Sequence, residues 1–175
     1  MKVRPIMVWV KKLALFAAAA YLLIHFVVQR VDVYGSSMAP ALESGDVLLV
    51  EKLTPRLGRL KRFDVIVFSY RYRKNQYYTK RIIALPGETI QIVDGNILID
   101  GQILLEDFGT EPIEKGKRAS EPVTLGENEY FVLGDNRNHS SDSRDWDIGN
   151  LKREEILGRV FFRIWPLFKA GMMKE

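Results

Sequence analysis

A serine placed shortly after a long apolar stretch is the first residue of this chain that could do chemistry. Ser37 follows the apolar residues 13–28 closely, so its hydroxyl is expected near a bilayer surface. A serine hydroxyl is a weak nucleophile and needs a base that takes its proton. The chain has no cysteine and only two histidines, His25 and His139, which excludes thiol catalysis and leaves too few ligands for a typical zinc site. We therefore expect no metal, and the base has to be sought further along the chain.

Lys80 is the candidate base. It lies in an otherwise apolar strand, where alternation places Tyr78 and Ile82 on its own face. Burial disfavours the ammonium form of a lysine and so lowers its pKa. Lowering that pKa by two units from about 10.4 requires about 2.7 kcal/mol of differential destabilisation. A neutral Lys80 beside Ser37 would form a Ser-Lys dyad, although a lysine in a strand is more often a solvated edge residue.

A polar segment at residues 134–146 is the third candidate part of a site. It follows a predicted strand and contains two arginines, three aspartates and three serines at close spacing. The simplest interpretation is a solvated loop rich in Asx turns. The same composition would also let the loop hold itself rigid through Asp–Arg pairs and offer a hydroxyl that orients a neutral lysine.

The N-terminal part of the chain predicts a membrane anchor. Residues 8–28 are apolar apart from Lys11, Lys12 and His25, and a helix of that length would span about 30 Å. Positive charge is concentrated before the apolar run, which places the N-terminus in the cytoplasm and the rest outside. A cleavable signal peptide is the rival interpretation, but the small residues 17–20 lie inside the apolar run. We expect a retained single-pass transmembrane helix in the cell membrane.

The remaining pattern has period two and predicts an all-β domain. Short β-branched or aromatic runs bounded by turn residues predict strands at residues 46–51, 64–70, 77–85, 89–93, 97–101, 129–133 and 158–165. Residues 152–157 predict a short helix ending at Gly158, and residues 102–127 predict a loop insertion. We expect a cytoplasmic N-terminus and anchor at residues 1–30, followed by an antiparallel, barrel-like extracytoplasmic domain at residues 31–175.

The net charge of +4 does not indicate a nucleic-acid-binding protein. The basic residues are scattered, and no helix-turn-helix, zinc-finger or RRM signature accompanies them. We expect no nucleic acid as a partner. Attraction to an anionic lipid surface is the alternative to simple solvation.

Three segments together resemble bacterial type I signal peptidases. Residues 37–42 (SMAPAL) are similar to the nucleophile box of that family, residues 80–88 (KRIIALPGE) to its lysine box, and residues 134–144 (GDNRNHSSDSR) to its third box. The segments occur in the family's order, and residues 45 onward resemble a further box. The resemblance implies a membrane-anchored serine protease, without a cofactor, that removes signal peptides from exported preproteins.

Roles for individual residues follow from this resemblance. Ser37 would be the nucleophile and Lys80 the general base that later protonates the leaving amine. Ser140 would orient the Lys80 amine, while Asp142 and Arg144 would brace the site as an ion pair. The Ser37 N–H would hold the oxyanion.

The sequence departs from the family's pattern at four positions near these boxes. Gly35 stands where many relatives supply a second oxyanion donor as a side-chain hydroxyl, and losing such a donor can cost about 10²-fold in rate. The other departures are Ala41, Ala84 and Asp147. None of these three other departures removes a catalytic group.

The resemblance also implies cleavage after small residues in an Ala-x-Ala pattern. The extended substrate would lie beside the strand at residues 31–35 and gain affinity from main-chain hydrogen bonds. Shallow pockets would be shaped by Val33, Gly35, Met38, Leu42 and Tyr78. Most of these side chains could equally be ordinary core positions.

Three alternatives remain open from the sequence. A Ser-His-Asp hydrolase would use Ser36 or Ser37 with His139 and with Asp135 or Asp142. A self-cleaving repressor-type peptidase would share the Ser-Lys chemistry but needs a DNA-binding domain. A membrane-tethered β module would have no catalytic activity.

Overall fold

The computed structural model describes residues 3–73 and 76–173, so the outermost positions of both predicted domains lie outside the described residues. It begins with helix α1 (Val3–Val27), which runs over almost all of the predicted anchor. Within residues 3–73 and 76–173, no helix combines the length and the apolar character needed to cross a membrane. The prediction of a transmembrane helix is therefore not supported.

After α1 the described chain is mostly antiparallel β-sheet, which confirms the predicted β class. The strands are β1 (Val28–Asp32), β2 (Val47–Glu51), β3 (Val65–Ser69), β4 (Tyr77–Ala84), β5 (Thr89–Val93), β6 (Asn96–Ile99), β7 (Gln102–Ile103), β8 (Val123–Thr124), β9 (Glu129–Leu133), β10 (Leu151–Lys152), β11 (Ile156–Trp165) and β12 (Gly171–Met172). A short helix, α2 (Leu53–Leu57), separates β2 from β3.

These strands form two sheets. The larger has the order β1-β2-β11-β3-β4-β9-β10, with β12 paired to β11, and the smaller has the order β7-β6-β5-β8. Pairing of the described strands leaves β1 and β10 at the two ends of the larger sheet, so strand pairing does not produce the predicted barrel-like closure. Because β1 is an end strand, its outer edge is available to another extended chain.

Two local predictions are wrong. Residues 152–157 are not a helix: they form the end of β10, a single 3₁₀ turn at Arg153–Glu155 and the start of β11. Gly158 lies inside β11 and does not end a helix. A glycine is needed there because a Cβ would come within 2.4 Å of the Val50 side chain. Residues 102–127 are not a plain loop, since β7, β8 and a 3₁₀ turn at Lys117–Ser120 lie within them.

The larger sheet is buried on both faces around β3 and β4. Along β3, Val65 and Val67 pack into a cluster with β2 and the nucleophile segment, while Ile66 and Phe68 pack into another on the opposite face. A third cluster joins the end of β4 to the smaller sheet. Burial on both faces explains why these strands read as nearly continuous apolar runs. A polar side chain on β4 is therefore desolvated unless it finds a partner.

Candidate active site

The segment after β1 carries Ser37 on a tight turn. The strand-like pairing with β2 continues to Val33, whose N–H donates to the Asp46 carbonyl at 2.8 Å and whose carbonyl accepts from the Gly45 N–H at 2.9 Å. The chain then reverses, and the Ala39 N–H donates to the Ser36 carbonyl at 3.0 Å. The buried side chain of Met38 anchors the turn to the core. Ser37, next to this anchor, is only partly buried.

Lys80 on β4 reaches the hydroxyl of Ser37. The Lys80 Nζ lies 2.7 Å from the Ser37 Oγ and donates to the Thr79 carbonyl at 3.0 Å. The Lys80 side chain is almost completely enclosed, with 2% of the residue exposed, and the Tyr78 ring centre lies 5.4 Å from Nζ. Two residues 43 positions apart in the sequence are thus in hydrogen-bonding contact.

Burial sets the ionisation of this lysine. Desolvation lowers the pKa of Lys80 from 10.5 to about 8, against the opposing influence of the Asp142 and Asp135 carboxylates, which favour the charged form. With that pKa about a tenth of the amine is neutral at pH 7 and able to accept a proton. Such a value suits a general base at neutral to mildly alkaline pH.

The loop at residues 134–145 packs beside the dyad through two buried arginine–aspartate pairs. Arg144 binds Asp142 through Nε and Nη2 at 2.8 and 2.9 Å, and both side chains are buried. Arg81 binds Asp135 in the same bidentate way at 2.8 and 2.7 Å. The ion pair named from the sequence is therefore present. Its role in bracing the site stays a prediction.

Ser140 does not make its predicted contact. Its Oγ is buried and has no hydrogen-bond partner among the described residues, while Lys80 Nζ donates to the Thr79 carbonyl. Ser140 nevertheless lies at the site: a Cβ built on Gly134 would come 2.3 Å from both the Ser140 Oγ and the Ser37 carbonyl oxygen. Gly134 is required by this close approach. The Lys80 amine is thus oriented in this structure by main chain and not by Ser140.

A cleft of about 390 Å³ opens directly beside the dyad. It lies between the outer edge of β1 with its continuation to Gly35 and the segment at residues 76–80. Four of the five predicted pocket residues line it, namely Val33, Gly35, Met38 and Tyr78. Leu42 does not: it is fully buried in the core cluster beneath the nucleophile turn, so its predicted pocket role is wrong. A larger cavity, of about 870 Å³, lies between α2 and residues 126–129 and 152–157, and none of the predicted site residues lines it.

The geometry does not favour a Ser-His-Asp arrangement. The two aspartates that could orient His139 are each already bound bidentately by an arginine. His139 is exposed, and no side-chain hydrogen bond of His139 is found within the described residues. The Ser37 hydroxyl contacts Lys80 instead.

Sequence reasoning missed three groups that support the site. Arg81, on the strand face opposite Lys80, is 1% exposed, and a buried arginine in a strand is a signal that a carboxylate must lie nearby. Asn136 holds the nucleophile turn: its N–H donates to the Ser37 carbonyl and its Nδ2 to the Ser36 carbonyl, both at 3.1 Å. The Thr79 carbonyl, which accepts from Lys80, carries no sequence signal at all.

Comparison with known proteins places this chain in a family. A family profile described as "Signal peptidase, peptidase S26" matches residues 6–165. A probable signal peptidase I-2 from Synechocystis sp. (strain ATCC 27184 / PCC 6803 / Kazusa) is 37% identical over 157 residues, covering 86% of this chain and 69% of the relative. A signal peptidase I from Leptolyngbya laminosa is 35% identical over 174 residues, covering 95% of this chain and 83% of the relative.

Among solved structures, a signal peptidase I from Enterococcus faecalis V583 is similar to this chain with a TM-score of 0.46 and 33% identity, covering 58% of this chain and 96% of that chain. The profile match extends across the helix, the nucleophile turn, β4 and the loop at residues 134–145. With the two relatives, it establishes that the chain belongs to the signal peptidase, peptidase S26, family.

Proposed function

We propose that this protein is a serine endopeptidase that removes signal peptides from preproteins, with Ser37 as nucleophile and Lys80 as general base. The observation that carries this proposal is the 2.7 Å contact between the Ser37 hydroxyl and an amine whose residue is only 2% exposed. Family membership supports the reaction class, since relatives are named signal peptidase I. An enclosed amine with a lowered pKa, in contact with a serine hydroxyl, supports the mechanism.

The chemistry proceeds in two halves. Lys80 Nζ takes the hydroxyl proton as the Ser37 Oγ bonds to the scissile carbonyl carbon. The resulting ammonium then gives that proton to the leaving amine as the carbon–nitrogen bond breaks. In the second half, Lys80 activates a water that cleaves the acyl ester and frees the serine. No other titratable group has to change its protonation state.

The Ser37 N–H is the proposed oxyanion donor. Within the described residues it has no intramolecular hydrogen-bond acceptor, so the group is free to bind a developing negative charge. Gly35 adds no side-chain donor, and its φ of +84° gives the turn a shape that other residues adopt only with strain. Main chain therefore carries the stabilisation of the tetrahedral intermediate here.

The substrate would bind as an extended strand between two free edges. Val33 uses its N–H and carbonyl to bond Asp46 and Gly45, just before β2, so the flanking residues Asp32 and Tyr34 point their main-chain groups toward the cleft. On the other side, Gln76 is bonded across to Tyr70, which leaves the main-chain groups of Tyr77 and Thr79 facing the cleft before β9 begins to pair at Arg81. The Thr79 carbonyl already accepts from Lys80 Nζ, so the Thr79 N–H and the Tyr77 groups are the ones offered to substrate.

Side chains in this cleft would select residue size. Val33 and Met38 are buried beneath the proposed peptide path and leave only shallow space toward the core. Small residues such as alanine fit shallow space, and larger ones do not. We therefore propose the Ala-x-Ala pattern of cleavage for this protein.

We also propose contact with lipid through α1. The described side chains of this helix include exposed Trp9, Leu13, Leu15 and Phe16, each about 70% exposed. An apolar helix surface of this extent is stable in water only when something apolar covers it. Flotation of the protein with vesicles tests this step, and unchanged flotation after replacement of these four residues by serine would contradict it.

The central test is an assay of the purified full chain on a preprotein whose signal peptide ends in Ala-x-Ala. We expect Ser37→Ala and Lys80→Ala to lose at least about 10³-fold in kcat, because each removes a reacting group. Ser36→Ala and Lys61→Ala, which change an adjacent serine and an exposed lysine, are matched controls that retain activity. Cleavage by Ser37→Ala at the wild-type rate would refute the proposal that Ser37 is the nucleophile of an endopeptidase and favour a β module without catalysis.

A further inference from the structure

Several contacts join the segment at residues 104–118 to the catalytic loop, and Glu106 makes the ion pair with Arg137. Its carboxylate is 11% exposed and points inward. Oε1 lies 2.7 Å from the Arg137 Nη1, while Oε2 accepts the N–H groups of Phe108 and Gly109 at 2.9 and 3.3 Å. One carboxylate therefore fixes both a buried arginine and the local fold of its own segment.

The first connection runs through Arg137. This arginine is 3% exposed, and its Nε donates to the Gly134 carbonyl at 3.0 Å. Glu106 is the carboxylate that pairs with the buried guanidinium. Because an unpaired buried cation is strongly unfavourable, Glu106 holds Arg137 in place and thereby fixes the Gly134 peptide.

The second connection runs through Phe108. Its ring centre lies 3.7 Å from the guanidinium carbon of Arg81. Arg81 is the arginine that binds Asp135 through two hydrogen bonds. The N–H of Phe108 is one of the two that Glu106 accepts, so the carboxylate also sets where this ring lies. Both connections end on consecutive residues, Gly134 and Asp135.

Gly134 and its neighbours form the surface on which the nucleophile turn rests. The Asn136 N–H donates to the Ser37 carbonyl at 3.1 Å, and Gly134 approaches that same oxygen so closely that it has no room for a Cβ. A shift of the loop would move Ser37 relative to Lys80. Misplacing reacting groups by about 1 Å can cost about 10²-fold in rate.

We propose that Glu106 is a positioning residue, which acts through Arg137 and Phe108 to hold residues 134–136 against the Ser37 carbonyl. The catalytic part of this inference rests on the proposed Ser-Lys mechanism, whereas the structural part does not. The edges proposed to bind substrate belong to β1 and to residues 77–79 of β4, and within residues 3–73 and 76–173 the Glu106 carboxylate makes no hydrogen bond or ion pair with either edge. Loss of Glu106 therefore changes turnover and leaves substrate affinity alone.

The test compares Glu106→Ala and Glu106→Gln with a matched control, Glu121→Ala, in the full chain. Glu121 lies in the same insertion, is exposed, and has no side-chain hydrogen bond or ion pair within residues 3–73 and 76–173. We expect kcat to fall about tenfold in Glu106→Ala, with KM within about twofold of the wild type. Glu106→Gln, which keeps an acceptor for Arg137, gives a smaller loss, and Glu121→Ala gives none.

Hydrogen exchange of the Asn136 amide provides a readout that needs no activity. We expect faster exchange in Glu106→Ala and Glu106→Gln than in the wild type and in Glu121→Ala, since the bond to the Ser37 carbonyl loosens. A raised KM with unchanged kcat, or unchanged Asn136 exchange, would overturn the inference. If the wild type fails to cleave the preprotein, the proposed function fails, and Asn136 exchange alone still decides whether Glu106 positions the loop. If Glu106→Ala does not fold, Glu106→Gln decides by the same two measurements.

Discussion

The pKa of Lys80 is the property on which the proposed mechanism can be tested most directly. Burial holds that pKa at about 8, compared with 10.5 for a hydrated lysine. At one pKa unit per about 1.4 kcal/mol, the site destabilises the ammonium by about 3 kcal/mol relative to water. The neutral fraction at pH 7 is thereby raised from about 0.03% to about 10%. The acid limb of the kcat/KM profile should therefore rise with an apparent pKa near 8.

Tyr78 offers a way to move that limb. Its ring centre is 5.4 Å from Lys80 Nζ and shields the amine on the cleft side. In Tyr78→Ala, water reaches the amine, desolvation weakens and the Lys80 pKa rises. We expect an upward shift of about one unit in the apparent pKa, which corresponds to about tenfold less neutral amine at pH 7. Tyr78→Phe keeps the ring and serves as the control.

The assay is the pH dependence of kcat/KM for the free protein between pH 6 and pH 10, with the same preprotein substrate and constant ionic strength. An apparent pKa near 6.5 that disappears in His139→Ala would refute the lysine base. A limb that is the same in Tyr78→Ala and the wild type would refute the role of ring burial. An equal shift in Tyr78→Phe would show that the hydroxyl matters, and not the ring.

Three further predictions concern stability and the oxyanion. Lys80→Met should abolish cleavage yet raise the free energy of unfolding by about 3 kcal/mol at pH 7, because the lysine has a lowered pKa in the folded protein. Denaturant melts should show this gain fading as the pH rises from 8 toward 10.5. Asp135→Asn should cost about 3 to 5 kcal/mol by the same melts, since it removes the carboxylate charge that binds the buried Arg81 through two hydrogen bonds. Gly35→Ser and Gly35→Ala share the backbone strain of a φ of +84°, so comparing them isolates the effect of the serine hydroxyl. We expect a kcat about tenfold higher for Gly35→Ser than for Gly35→Ala if the hydroxyl adds an oxyanion donor, and equal kcat values would exclude one.

Much of the fold could be predicted because period-two patterns report burial directly. β4 and β5 were expected at residues 77–85 and 89–93, and the structure has them at Tyr77–Ala84 and Thr89–Val93. Errors arose where tertiary contact overrides a local signal. Gly158 has the chemistry of a helix end, yet it is a glycine because β2 packs directly against it. No local pattern shows such a neighbour.

The candidate site divides in the same way. Ser37 and Lys80 could be named because each is an unusual residue for its position in the chain. Composition alone indicated Asp–Arg pairs in the loop, and the resemblance to the signal peptidase boxes singled out Asp142 with Arg144. The pocket role predicted for Leu42 is wrong because a leucine five residues after a nucleophile fits a pocket and a core equally well. The contact between Glu106 and Arg137 spans two segments whose relative position depends on how the smaller sheet docks, and sequence spacing cannot supply that.

The two buried ion pairs also explain how the pKa of a lysine can be lowered next to carboxylates. Asp142 and Asp135 both act to raise the Lys80 pKa, and an uncompensated buried carboxylate would capture the amine as an ordinary ion pair. Each carboxylate is instead bound through both of its oxygens by its own arginine, Arg144 or Arg81. With their charge offset in this way, desolvation dominates and the pKa falls. We therefore infer that these arginines keep the amine available as a base, a role beyond holding the loop rigid.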